Sequence, residues 1–398
     1  MENKKIELIT TWPLFMDVLL YKDVGTFIKY FSHEYNLNAE ILMFDNPSEQ
    51  MTKLTEFDGV TIKKIINKSG YQSIPKIKHV FRFYKYLLPF KNYIKENAKN
   101  WNYVMLFHAN GVTFTIINWV LRYNKKIKIY VKGDISSFNN FIQKKIINRI
   151  VRKGCYFSTE NKNIYEHLVE ENKEYKNLIA NIPNGIDDYF VNTLDILPRR
   201  ENLIISTARF GSTQKNSELL LEILDAVNYK DDWKVILAGP IETEEQDFQK
   251  YIDEKFAISD NLRQHVAFIG NVSNREELYK LYSRAKVFMF TSRWEGSSLS
   301  FLEASYFGDY IIATDVGCAS EILTGTGYGF IAPESKKDMQ NIPLIKSSMI
   351  EKLQSIIDGR TDIDSSRELF MKGIREKYSM IKIINQPFFQ KFIGIYDA

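Results

Sequence analysis

The chain has 398 residues, 44% of them hydrophobic and 26% charged. Two domains are the natural reading of that length, and the balance excludes a disordered or fibrous chain. The formal net charge of +4 hides an asymmetry, because residues 53–153 hold 21 Lys/Arg against 4 Asp/Glu and the remainder is net negative.

The N-terminal half opens with a short apolar strand, KIELIT at 5–10, and repeats such runs at 39–44, 102–107 and 127–131. Helical patterns separate them, for example at 24–35 and 140–153. Residues 101–121 carry no formal charge, about the length that crosses a bilayer. Their central His108, Asn110 and Gly111 fit a buried strand, a loop and a helix better. A Pro/Asn/Gly/Asp cluster, NIPNGIDD at 181–188, interrupts the alternation. It then resumes with strands at 203–208, 234–239, 266–270 and 286–290 and helices at about 216–227 and 275–285.

Strands alternating with helices at this spacing predict parallel sheets covered on both faces. The expected fold is α/β, with two doubly wound Rossmann-like domains facing a central cleft. The N-terminal domain is expected over 1–190 and the second over 191–379. A final helix over 380–398, broken at Pro387, packs back on the first. Ligands of such sheets bind beyond the carboxyl ends of the strands.

Residues 291–308, TSRWEGSSLSFLEASYFG, carry the most specific pattern. A strand ends near Thr291, a loop follows, and a helix begins around Leu299. The leading N–H groups of that helix have no internal partner and lie at the positive end of the dipole, a place for a phosphate. Gly296, Ser297 and Ser298 are small enough for close approach. Glu295 in the loop and Glu303 one turn into the helix are suited to accepting hydroxyls of a sugar or ribose. Ordinary helix capping explains the same residues. A second loop shifts the balance: Arg209 and Lys215 flank a Gly/Ser/Thr turn after the strand at 203–208. Planar fork and point charge together suit a diphosphate.

These residues resemble the retaining glycosyltransferases of family 4, which have the GT-B fold. The matching segments are 182–187 (IPNGID), 207–216 (TARFGSTQKN), 268–304 and 312–323 (IATDVGCASEIL), with the Glu-x7-Glu signature filled by Glu295 and Glu303. The resemblance implies that Arg209 and Lys215 hold the donor diphosphate, that Glu303 binds the ribose, and that Glu295 faces the transferred sugar. Backbone N–H groups of Ser297, Ser298 and Leu299 would contact sugar and distal phosphate, and the turn with Asn271 and Val272 would border the base. Three departures stand out. Ser298 replaces a usual Gly, Lys132 stands where a His often touches the donor, and the Gly-rich N-terminal loop is reduced to Gly25. Lys132 and His108 are the candidates for further phosphate or acceptor contacts.

The function implied is retaining transfer of a hexose from a nucleoside-diphosphate sugar to a hydroxyl of a saccharide, in capsule or exopolysaccharide assembly. No cofactor beyond the sugar nucleotide and no metal is expected. Asp362 and Asp364 spell Asp-x-Asp but lie in a polar segment away from the strand ends, and GTGYG at 325–329 does not sit between a first strand and its helix. An epimerase or phosphorylase of the same fold, or a non-catalytic glycan- or partner-binding subunit, remains open as an alternative. Two cysteines, Cys155 and Cys318, define no disulfide framework. With no charged-then-apolar leader, the cytoplasm is the expected compartment. The basic, aromatic-laced region suits docking on anionic lipid at the inner membrane face, with a lipid-linked acceptor. No nucleic-acid recognition motif accompanies it.

Overall fold

A computed structural model describes residues 4–10, 19–45, 54–66, 79–133, 141–160, 162–194, 200–230, 232–242, 247–335, 339 and 341–395. By contact density the chain divides into two units, residues 1–184 with 380–398, and residues 185–379.

The first unit is built on β1 (Lys5–Ile9), β2 (Asn38–Asp45), β3 (Glu56–Phe57), β4 (Val60–Ile66), β5 (Tyr103–Phe107), β6 (Lys128–Gly133), β7 (Tyr156–Thr159) and β8 (Ile179–Asn181). Their order is β3-β4-β2-β1-β5-β6-β7-β8, parallel throughout except the β3–β4 pair. Central β1 runs between β2 and β5, with Leu8 opposite both Ile41 and Met105. Ile6, Leu8, Ile41 and Met105 are fully buried, as expected of strands covered on both faces. The uncharged segment at 101–121 divides at Asn110, whose side chain caps the helix Gly111–Tyr123 by accepting from Val112 N and Thr113 N, each at 3.0 Å. Among the described residues no helix is long and apolar enough to cross a membrane.

The second unit carries β9 (Leu203–Thr207), β10 (Lys234–Ala238), β11 (Val266–Gly270), β12 (Val287–Phe290), β13 (Tyr310–Ala313) and β14 (Phe330–Ile331). The order is β11-β10-β9-β12-β13-β14, all parallel. Strand order reverses between β9 and β12, so the loops leaving those neighbours flank the topological switch point where ligands of such sheets bind.

The division at 184/185 falls six residues before the expected 190/191. Ile186 N donates to Tyr378 O at 2.8 Å, and Ser379 Oγ donates to Asp188 Oδ2 at 2.9 Å, which ties 186–188 to the second unit. Beyond Ser379 the chain belongs to the first unit. Phe389, in the helix Pro387–Ile393, lies 5.3 Å from the Phe31 ring and 5.2 Å from the Tyr130 ring. Pro387 opens this helix rather than kinking one, as its missing N–H allows.

Candidate functional site

The loops after β9 and β12 are joined along their length. Arg293 N donates to Gln214 O at 2.8 Å, and Gln214 Nε2 donates to Trp294 O at 3.0 Å. Thr291 Oγ1 donates to Lys215 O at 3.1 Å, and an Arg293 Nη donates to Asn216 Oδ1 at 2.9 Å. Residues 209–216 and 291–295, far apart in sequence, therefore form one rigid rim at the switch point.

That rim pairs the predicted charges. Lys215 Nζ forms an ion pair with Glu295, both side chains largely buried, and Ser292 Oγ donates to Glu295 Oε1 at 2.8 Å. A third loop, after β13, closes on the backbone and Cβ of Glu295. Gly317 has φ +62°, and a Cβ there would lie 2.8 Å from Glu295 Cβ and 3.0 Å from Gly296 O. Only glycine meets both the left-handed backbone and that approach. Thr314 Oγ1 donates to Ser292 O at 2.7 Å and fixes this third strand end to the second. Arg209 is exposed at the outer edge, with one Nη 2.9 Å from Glu242 Oε1 and the other 3.3 Å from Gln214 Oε1.

The helix Leu299–Phe307 starts where the sequence placed it. Ser298 is its N-cap, with Oγ accepting from Phe301 N, and Gly308 ends it in the left-handed conformation. The cap gives Ser298, at a position where the resemblance implies Gly, a structural reason. Gly296, Ser297 and Leu299 lie half-buried at this helix start, where N–H groups carry the positive end of the dipole. Glu303 is buried in the second turn at 3% exposure and forms an ion pair with Arg275. Arg275 opens the helix Arg275–Arg284; its guanidinium lies 4.6 Å over the Tyr279 ring and donates to Tyr279 Oη at 2.8 Å. Burial works against the Arg275 charge, and Glu303 more than offsets it, so the guanidinium is held above its ordinary range. Between β11 and that helix, Asn271 is exposed and donates to Ser273 Oγ at 3.0 Å, while Val272 is half-buried.

In the first unit the remaining candidates also sit at strand ends. His108 follows β5 with φ +61°, a region that histidine visits more readily than most residues. Its N–H donates to Lys132 O at 2.9 Å. Lys132, in β6, is 1% exposed. Its Nζ lies 2.5 Å from Glu160 Oε1, 3.5 Å from Asp23 Oδ2 and 2.8 Å from Asn184 Oδ1. Burial lowers its pKa, but Glu160 and then Asp23 outweigh this, and the ammonium is held above its usual value. This lysine, expected to meet a phosphate, is thus matched by two carboxylates of its own unit. Gly25 lies in the first turn of the helix Asp23–Tyr35, where a Cβ would fall 2.1 Å from Leu20 O. Packing of the helix against that carbonyl accounts for the glycine without any ligand.

Sequence reasoning passed over Arg275, Asp23, Glu160, Asn184 and Gly317. Arg275 had a readable signal, because a cation in the first turn of a helix opposes the dipole and needs a partner elsewhere. Asp362 accepts from the N–H groups of Asp364 and Ser365, and Asp364 pairs with Arg200, so the two carboxylates are engaged separately. A cavity of about 560 Å³ is lined by Asn202, Trp233 and Lys286, which precede β9, β10 and β12. It therefore opens at the amino edge of the sheet and holds none of the predicted donor residues.

Two Rossmann-type α/β units, with loops joined at the strand ends of the second, define the GT-B fold. Residues 196–351 match the family described as glycosyl transferases group 1. It is 32% identical over 113 residues to the lipopolysaccharide core biosynthesis mannosyltransferase LpsB of Rhizobium meliloti, a match covering 28% of this chain and 31% of that relative. The chain thus aligns with less than a third of that protein's length. In structure it resembles the apo lipopolysaccharide outer core galactosyltransferase WaaB, with TM-score 0.66 and 16% identity over 98% of this chain and 99% of that one. It also resembles HepE of Anabaena, solved with UDP and glucose, with TM-score 0.65 and 13% identity over 99% of both chains. At those identities the likeness is one of fold.

Proposed function

We propose that the protein transfers a hexose from a nucleoside-diphosphate sugar to a hydroxyl of a saccharide acceptor, with retention at the anomeric carbon. The observation that carries this is the joining of loops 209–216 and 291–295 at the switch point of the second sheet. It sets Lys215, Glu295 and a helix N-terminus on one rim, with Glu303 on the helix that follows. The UDP and glucose bound to HepE are consistent with such a donor.

In this reading the diphosphate takes its charge partners from Arg209, Lys215 and the N–H groups of Ser297, Ser298 and Leu299, with no metal required. Negative charge grows on the leaving diphosphate during transfer, and preorganised donors aimed at it stabilise the transition state; losing one costs about 10²–10³-fold in turnover. Incoming phosphate competes with Glu295 for Lys215, which turns the carboxylate toward the sugar. The acceptor is proposed to be a lipid-linked saccharide of cell-surface polysaccharide assembly, met at an anionic membrane surface by the basic helices of the first unit. Sedimentation with vesicles tests that part.

The reaction is tested by incubating the protein with nucleoside-diphosphate sugars and saccharide acceptors and following products by NMR. Acceptor-dependent nucleotide release with a product of unchanged anomeric configuration is expected. An inverted product overturns retention, conversion of donor without acceptor favours an epimerase, and no turnover with bound nucleotide favours a silent binding subunit.

A further inference from the structure

Glu303 alone does not explain its own geometry. It is nearly buried on the helix Leu299–Phe307, and its Oε1 is held by Arg275 from a different helix. Arg275 is itself fixed in three ways. Its guanidinium lies over the Tyr279 ring, one Nη is shared between Tyr279 Oη and Glu303, and the Tyr279 ring is wedged between Phe190 at 5.6 Å and Phe307 at 5.2 Å. A guanidinium fixed in this way fixes the carboxylate oxygen it binds. Helix energetics give no reason for the arginine, because a cation in a first turn is disfavoured by the dipole. Its place follows from Glu303.

We propose that Arg275 is a positioning residue that orients Glu303 toward the ribose and thereby makes the donor site selective for ribonucleoside over deoxyribonucleoside diphosphates. With Arg275 holding Oε1, Oε2 is the oxygen presented to a ligand hydroxyl. A buried acceptor built to meet a hydroxyl rejects an analogue that lacks it, because the acceptor is then left desolvated and unpaired. A carboxylate free to rotate turns away from the missing hydroxyl and discriminates less. The inference rests on the donor-site reading above and adds to it the residue that sets its sugar selectivity.

The test is calorimetric binding of UDP, GDP and ADP to the full chain, then of the tightest of the three against its 2′-deoxy and 3′-deoxy forms. Wild type is expected to bind at least one deoxy form about 10–100-fold more weakly, the range for a hydrogen bond to a charged group. In Arg275→Ala that ratio should fall to within about threefold while the ribonucleotide still binds, since the ion pair and not the nucleotide contact was removed. Arg275→Lys should retain part of the ratio, because an ammonium keeps the charge without the planar fork. If Arg275→Ala does not fold, Arg275→Lys decides, and an unchanged ratio in the folded variants overturns the proposal. Wild type binding no nucleoside diphosphate overturns the donor-site reading itself. Binding of all three sugar forms equally leaves the nucleotide site standing and overturns the role given to Arg275 and Glu303.

Discussion

Asp309 follows the Gly308 cap of the helix that carries Glu303, is fully buried, and has no hydrogen-bond partner for either carboxylate oxygen among the described residues. Burial raises its pKa well above the usual 3.8, against the pull of Arg200 and Arg367. The folded state therefore keeps a proton that the unfolded chain releases. Below about pH 3.8 both states are protonated and the residue is neutral to stability. As pH rises from there toward the raised folded value, stability is progressively lost. Asp309→Asn should melt higher than wild type at pH 7, by about 2–4 °C per kcal/mol recovered, with the gap shrinking as pH falls to 4. A gap that does not change with pH contradicts this. The same scale shows where sequence reading reaches its end. Glu295 and Glu303 were legible from spacing and flanking residues, because a strand, a small-residue loop and a helix announce themselves locally. Lys215 was legible as a cation after a strand, but its pairing with Glu295, and that of Arg275 with Glu303, depend on which loops the sheet order brings together. Lys132 was legible as a cation at a strand end but not as a buried one, since Asp23, Glu160 and Asn184 come from three other connections.

At the scale of elements, the expected strands rich in Val, Ile and Leu were readable to within a residue or two. The lysines of VTIKKII hid β4, whose Lys63 reaches back to Glu40 on β2 at 2.7 Å. β7 and β8 are short and lack an aliphatic run. The helices His79–Asn97, Gly111–Tyr123 and Phe141–Arg152 expose Lys95, Arg122, Lys145, Arg149 and Arg152. That cationic surface carries the proposed membrane contact, at about 1 kcal/mol per charge near an anionic bilayer. Wild type should sediment with phosphatidylserine vesicles at low salt and not with zwitterionic ones. Replacing Lys145, Arg149 and Arg152 together by Glu should abolish this, with nucleotide binding unchanged. Equal sedimentation with both vesicle types contradicts the contact.

Across the whole molecule, two α/β units were legible from the repeated strand–helix alternation, and their division from the IPNGID turn. The six-residue difference in boundary has a tertiary cause, the pairing of Ile186 with Tyr378 and Ser379, which no local pattern displays. Switch-point geometry in the second unit brings the scattered motifs together on one rim, and nucleotide binding is the first consequence of the function proposed for it. Titrating UDP, GDP and ADP into wild type, Arg209→Ala and Glu303→Ala by calorimetry tests that claim most directly. Saturable binding of at least one nucleotide by wild type is predicted, weakened about 10–100-fold in each variant, as loss of a charge-assisted hydrogen bond implies, with cooperative melting retained. Equal affinity in all three proteins would contradict the placement of the donor in these loops.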